Sequence, residues 1–202
     1  MALAKRAFDV GLSSAGLALS SPLWLVIALL IRLDDGGPIF FTQPRVGRGG
    51  VAFRAYKFRS MAAHPDARFG PRPSAEADAR VTRVGRWLRA TAMDELPQLW
   101  NILRGDMSFV GPRALMPEEI EIGAAARVAL ASIPGYALRH RVRPGLTGLA
   151  QVFADRNLPR RQKFRYDLLY IRRQSFGLDL RLIALSLWIT ACGRWERRGA
   201  KL

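Results

Sequence analysis

The chain of 202 residues holds one cysteine, Cys192, and two histidines, His64 and His140, far apart from each other. A single thiol permits no disulfide framework and no Cys-rich zinc site. Two distant imidazoles argue against a His-based metal cluster or a Ser-His triad. No internal repeat, low-complexity tract, P-loop or GxGxxG occurs. Acidic residues are also scarce, 16 against 32 lysines and arginines, for a formal net charge of +16. Chemistry is therefore left to carboxylates, Arg, Lys and backbone amides, in a reducing, cytoplasm-facing setting.

This length suits one domain, or one domain with a small appendage, and is enough to bury a sizeable core. A large cationic excess points to a polyanionic partner: nucleic acid, an anionic membrane surface or phosphorylated substrates. Charge alone does not choose among the three. The apolar residues do, because "VGLSSAGLALSSPLWLVIALLI" runs uncharged from Val10 to Ile31. About 20 such residues suffice to span a bilayer. No A-x-A-like cleavage site follows, which argues against a signal peptide, and a soluble core helix this uniformly apolar is uncommon.

Pro22 lies near the middle of this run. It removes one backbone donor and clashes with the carbonyl of Ala18, so it favours a kink. Ser20 and Ser21 are placed to satisfy the freed backbone groups, as a break at membrane depth requires. Lys5 and Arg6 at one end and Arg32 at the other would all prefer the cytoplasmic side. A helix of about 11 residues rises roughly 16 Å, about to the bilayer middle. The expectation is a re-entrant helix over residues 1–35, broken at Ser21-Pro22, in preference to a straight span. A second apolar stretch, Phe176 to Gly193, is interrupted by Asp179 and Arg181 and followed by Arg194, Trp195, Arg197, Arg198 and Lys201. It reads either as an interfacial helix with snorkelling cations or as a core helix with a solvated tail.

"PIFFTQPRVGRGGVAFRAYKFRSM" reads as two short strands around the Gly47–Gly50 turn. Residues 62–82 read as a loop. Helical patterns follow at 83–90, 94–104, 117–132 and 160–173, and 139–157 reads as a connector with one extended piece. The fold class expected is α/β (α+β), helix-rich with a small sheet, and residues 36–202 form the globular part.

Within "TAMDELPQLWN", Asp94 and Glu95 stand side by side. Leu96, Leu99, Trp100 and Leu103 recur at helical spacing, as for a helix with that apolar face buried, and Pro97 is tolerated only in a first turn. The pair is therefore expected at a helix start, where free amides and the dipole favour anions. Arg86, Arg89, Lys57, Arg59, Arg113, Arg143 and Arg156 supply cations suited to phosphate. A carboxylate beside a bound diphosphate can act as nucleophile or can hold Mg²⁺. These residues point to a membrane-bound, phosphate-handling site without naming the substrate.

"KRAFDVGLSS", the Ser21-Pro22 break, "PIFFTQPRVGRGG", "YKFRSM", "MDELPQLWNILRGDMSFVGPR" and "HRVRPGLTGLAQV" together resemble the monotopic phosphoglycosyl transferases, from about Lys5 to Asp179. The resemblance implies transfer of a sugar-1-phosphate from a UDP-sugar to polyprenol (undecaprenyl) phosphate, releasing UMP. It implies Asp94 as the nucleophile that forms a covalent phosphosugar-aspartyl intermediate and as a metal ligand, with Glu95 as its partner and Mg²⁺ as cofactor. Arg89 and Arg113 would contact phosphate, followed by Lys57, Arg59, Arg143 and Arg156. The expected place is the cytoplasmic face of the bacterial inner membrane, in one leaflet with anionic lipids. Nucleic acid is not an expected partner, and a homodimer stays open. This chain departs from the family pattern at Ala114, where Pro is usual, and at Ala154-Asp155, where Gly-Arg is usual. It resembles the family's minimal catalytic unit. A non-catalytic scaffold for polysaccharide assembly is the alternative.

Overall fold

The computed structural model describes residues 2–62, 78, 80–117, 119–122, 127–155 and 158–192. The basic tail singled out above lies outside them.

Helix α1 covers Ala2–Asp35, with Pro22 inside it. Helical hydrogen bonding continues on both sides of the proline because the group it orphans finds another donor. The hydroxyl of Ser21 donates to the carbonyl of Ala18 at 2.8 Å, the acceptor that the Pro22 ring deprives of its N–H. Among the described residues α1 is the one helix long and apolar enough to cross a membrane. Leu3, Leu19, Leu25, Leu29 and Leu33 are exposed along it.

The opposite stripe of α1 packs on the rest of the chain. Near its start Lys5 donates to Asp179 Oδ2 at 2.6 Å and to the Val110 carbonyl at 3.0 Å. Arg6 donates to the carbonyls of Ile102 and Leu103. Asp9 accepts from Ser108 Oγ and from the Phe109 amide, both at 3.1 Å. Near its end Ile27 and Ile31 share a core cluster with Phe58 and Leu88. Asp34 accepts from the Val84 amide at 3.0 Å, and Asp35 holds both terminal nitrogens of Arg59.

Strands β1 (Phe40–Val46) and β2 (Ala52–Phe58) form the expected antiparallel hairpin around the glycine turn. Helix α2 covers Arg83–Ala90, as the periodicity predicts, and α3 covers Gln98–Arg104. Strand β3 (Ser108–Val110) pairs in parallel with β6 (Gly145–Thr147), and β4 (Ile120–Ile122) pairs antiparallel with β5 (Arg127–Ala129). Helices α4 (Tyr136–Arg139) and α5 (Leu149–Phe153) are short, whereas α6 (Arg160–Arg173) and α7 (Phe176–Ala191) are long. The fold is thus helix-rich, with three two-stranded pairs among the described residues in place of one sheet.

Three expectations are corrected. The described residues of 117–132 are not helical as expected: β4, β5 and a 3-10 turn over Leu130–Ser132 lie there. Pairing between these two neighbouring strands, from Ile120 with Ala129 to Ile122 with Arg127, overrode a run rich in alanine and glutamate. The helix expected from Asp94 starts at Gln98, behind Pro97. Its buried stripe is Gln98, Leu99, Asn101 and Ile102, while Trp100 is 48% exposed. The connector 139–157 holds α5 in addition to its extended piece.

The α7 helix packs one face into the core. Leu182 and Ile189 join Val110, Val152 and Tyr170 in a core cluster, while Phe176, Leu180, Leu187 and Trp188 stay exposed.

Candidate active site

The site forms where the β1–β2 hairpin meets the turn between α2 and α3. Helix α2 is capped by Thr82, whose hydroxyl oxygen accepts from the Gly85 amide at 2.9 Å. A Cβ on Gly85 would lie 2.0 Å from the Ser60 carbonyl oxygen, so only glycine lets α2 lie this close to the chain leaving β2. After α2 the chain turns at Ala92, with φ of 55°, the one positive φ at a non-glycine residue among those described. Such strain costs on the order of 1–3 kcal/mol and gathers at functional sites. Met93–Glu95 then form a 3-10 turn that carries both carboxylates. With α3 beginning beyond Pro97, the pair sits before the helix and its electrostatics come from side chains.

Asn101 fixes the hairpin against this turn. Its Oδ1 accepts from the Tyr56 amide at 3.0 Å, and its Nδ2 donates to the Arg54 carbonyl at 2.7 Å and to Asp106 Oδ2 at 3.1 Å. The side chain is fully buried. One amide therefore sets β2, and Lys57 upon it, at a fixed distance from the carboxylates. The register pairs Phe41 with Lys57, Gln43 with Ala55 and Arg45 with Phe53, so Lys57 and Arg45 share one face of the hairpin.

Asp94 is buried, at 8% exposure. The Lys57 ammonium donates to Glu95 Oε1 and lies 3.6 Å from Asp94 Oδ2. Burial pushes the Asp94 carboxyl up to about 6, opposed by Lys57, reinforced by Glu95, and opposed again by Arg89 and Arg113. Burial also acts to raise Glu95, but Lys57, Arg113 and Arg45 outweigh it and hold that carboxyl below its usual range. Adjacent carboxylates are thus driven apart, one readily protonated and one kept ionised. Burial and the neighbouring Arg113 push Arg45 down to about 10. Arg45, Lys57, Glu95, Gln98 and Arg113 line one cleft floored by Ala55, Met107 and Leu146.

Arg113 is itself held from behind. Arg139 donates to its carbonyl at 2.6 Å and to Asp167 Oδ2 at 2.9 Å, with Asp167 buried on α6. The Gly145 amide donates to the Pro112 carbonyl at 2.9 Å.

Of the residues expected at the site, Asp94, Glu95, Lys57, Arg89 and Arg113 converge. Arg59 does not: its guanidinium is buried against Asp35 and the Pro38 carbonyl, where it ties α1 to β2. Arg143 donates to the Gly105 carbonyl at 2.9 Å and lines a different cavity with Lys5 and Arg48. Arg156 lies outside the described residues. Sequence reading missed Arg45, Gln98, Asn101 and Arg139. Arg45 was within reach, because alternation along β1 and the register set by the glycine turn put it on the Lys57 face. Asn101 and Arg139 act through backbone groups distant in sequence, which no local pattern reveals.

A protein-family model described as bacterial sugar transferase matches residues 1–193. The chain belongs to the bacterial sugar transferase family. It is 44% identical over 188 residues to the UDP-glucose:undecaprenyl-phosphate glucose-1-phosphate transferase of Caulobacter vibrioides, covering 90% of this chain and 67% of that protein. It is 42% identical over 192 residues to the undecaprenyl-phosphate glucose phosphotransferase of Komagataeibacter xylinus, covering 92% of this chain and 35% of that one. The exopolysaccharide production protein PSS of Rhizobium leguminosarum bv. phaseoli is 41% identical over 184 residues, 89% of this chain and 90% of its own. The chain spans little more than a third of the Komagataeibacter relative and 39% of a Klebsiella pneumoniae one.

Proposed function

We propose that this protein transfers a sugar-1-phosphate from a UDP-sugar to polyprenol phosphate through a covalent intermediate on Asp94. One observation carries the reading: an Asp-Glu pair with split proton affinities lies against Lys57 and within the field of Arg45, Arg89 and Arg113. The sugar-1-phosphate transferases named among the relatives support the reaction class.

An Oδ of Asp94 attacks the β-phosphorus of the UDP-sugar. The bond from that phosphorus to the bridging oxygen breaks, and UMP leaves with the electron pair. The product on the enzyme is an acyl phosphate bearing the sugar. A phosphate oxygen of the polyprenol phosphate then attacks the same phosphorus. The bond to Asp94 breaks, which restores the carboxylate and releases a polyprenyl diphosphate sugar. Glu95, held ionised, accepts the proton of a monoprotonated acceptor phosphate. Lys57 and Arg113 hold the equatorial phosphoryl oxygens, where charge accumulates.

Mg²⁺ fits this donor set, since it is held by one or two carboxylates together with substrate phosphates and water. Among the described residues no three Asp, Glu, His or Cys side chains converge on a metal position, so Asp94 with Glu95 would hold it. When bound, it neutralises diphosphate charge.

The membrane part of the proposal is a re-entrant α1 in the cytoplasmic leaflet of the bacterial inner membrane. Residues on both sides of Pro22 touch the same globular body, through Lys5 and Asp9 before it and Ile27, Ile31 and Asp34 after it. That contact pattern supports keeping both ends on one side.

The test offers a panel of UDP-sugars, led by UDP-glucose and UDP-N-acetylgalactosamine, with undecaprenyl phosphate and Mg²⁺, and follows UMP. Wild-type protein should release UMP, and Asp94→Asn should lose at least about a thousandfold in rate. Undiminished turnover by Asp94→Asn would remove Asp94 from the nucleophile role. A wild-type protein silent with every sugar would favour the scaffold alternative.

A further inference from the structure

A second cationic site lies apart from the carboxylate cleft, on the other side of the β3–β6 pair. Met107 and Leu146 line the cleft with Glu95, whereas Ser108 and Val110 line this other cavity together with Arg48, Arg141 and Arg143. The three arginines come from two distant parts of the chain. The Gly49 amide donates to the His140 carbonyl at 2.7 Å, which brings the hairpin turn carrying Arg48 beside the segment carrying Arg141 and Arg143.

The charges here are poorly compensated. Lys5 is neutralised by Asp179 at 2.6 Å. Arg143 spends its Nε on a backbone carbonyl, and among the described residues no carboxylate forms a salt bridge with it. Burial, Arg6 and Arg48 all disfavour the Arg143 charge, and Asp9 offsets them only in part. Arg48 and Arg141 are exposed. Like charges crowded in this way are tolerated where an anion completes them.

Gln174 and the Asp179 carboxylate paired with Lys5 also line the cavity, and part of its rim is apolar. Ala4 and Phe176 line it directly, Leu3 on α1 is 88% exposed beside Ala4, and Leu180 is exposed one turn beyond Phe176. A free phosphate would gain nothing from such a rim. An amphiphile with an anionic head would use both features.

We propose that the cavity bounded by Arg48, Arg141, Arg143 and Phe176 binds the phosphate headgroup of an anionic phospholipid from the leaflet that holds α1. This rests on the membrane reading of α1 but does not depend on the reaction assigned to Asp94. Lipid held there would fix the roll of the globular part about α1, and so the height of the Asp94 cleft above the membrane.

The test uses full-length protein in a neutral detergent. Short-chain phosphatidylglycerol, phosphatidylcholine of the same chain length, and inorganic phosphate are each titrated while Tm is read. The expected result is a saturable rise in Tm with phosphatidylglycerol, none with phosphatidylcholine and little with phosphate. The double variant Arg48→Gln/Arg141→Gln should keep the wild-type Tm without lipid and bind phosphatidylglycerol roughly tenfold to thirtyfold more weakly, as expected for losing two cations at a lipid head. An equal response to phosphatidylcholine, an equal response to phosphate, or an unchanged response in the variant would each overturn the proposal. If the variant's own Tm falls, the single Arg141→Gln variant, at an exposed side chain, takes its place under the same criteria. Separately, failure of α1 to hold the protein in a membrane fraction would overturn the membrane reading and leave the detergent result to stand or fall alone.

Discussion

Asp94 combines two demands that pull against each other. A nucleophile must be ionised, yet burial beside Glu95 pushes its pKa up to about 6. UMP release should therefore fall as pH drops through about 6, and a pH profile of kcat/KM checks this. Lys57→Gln removes the largest influence holding Asp94 down, so the acid limb should move to higher pH as well as the rate falling; an unmoved limb would show that Lys57 does not set the charge of Asp94. The same shift has a consequence for stability. A carboxyl raised in the fold favours folding below its ordinary range and loses that advantage as pH rises past about 6. Above neutrality the ionised Asp94 is a cost, so Asp94→Asn should gain about 1–3 kcal/mol in denaturant unfolding while losing activity. The pair itself was legible in the sequence not as two adjacent acids, since Asp34-Asp35 and Glu118-Glu119 also occur, but from the helical spacing, Pro97 and the cations around it. The split between their proton affinities was not, since it depends on burial and on cations from β2, α2 and the loop after β3.

At the scale of elements, the helices 83–90 and 160–173 were readable from apolar spacing, and the hairpin from its glycine turn. The stretch 117–132 was not, because strands of three residues carry too little alternation to compete with helical propensity. The register of α3 was also misread. Counting Trp100 as buried ignored Asn101, a polar residue whose place in the interior is justified only by the strand it holds. Replacing Asn101 by Ala would leave the Tyr56 amide and the Arg54 carbonyl without their partner. The expected loss is about 2 kcal/mol in denaturant unfolding, with a fall in kcat larger than any change in KM, because Lys57 would no longer be held against the pair. A midpoint and kcat equal to wild type would exclude the clamp.

For the whole molecule, the proposed membrane placement turns on which side of a bilayer each end of α1 would lie. If α1 re-enters, a single cysteine placed at Ala2, in a chain with Cys192 replaced by Ser, should react with thiol reagents only after the inner membrane is made permeable. Labelling of intact spheroplasts would mean a straight span. Composition and the uncharged run suggested a membrane segment, and Pro22 suggested the break, but nothing local disclosed that Lys5 meets α7. That contact bridges 174 positions of sequence. It also imposes an order on biogenesis. Helix α1 is made while Asp179, 174 positions after Lys5, has yet to be translated. At about 5–20 residues per second, Lys5 waits roughly 10–35 seconds for its counter-ion. Helix α1 is thus complete before the partner that will hold it exists, and the finished ion pair acts as a latch closed by α7.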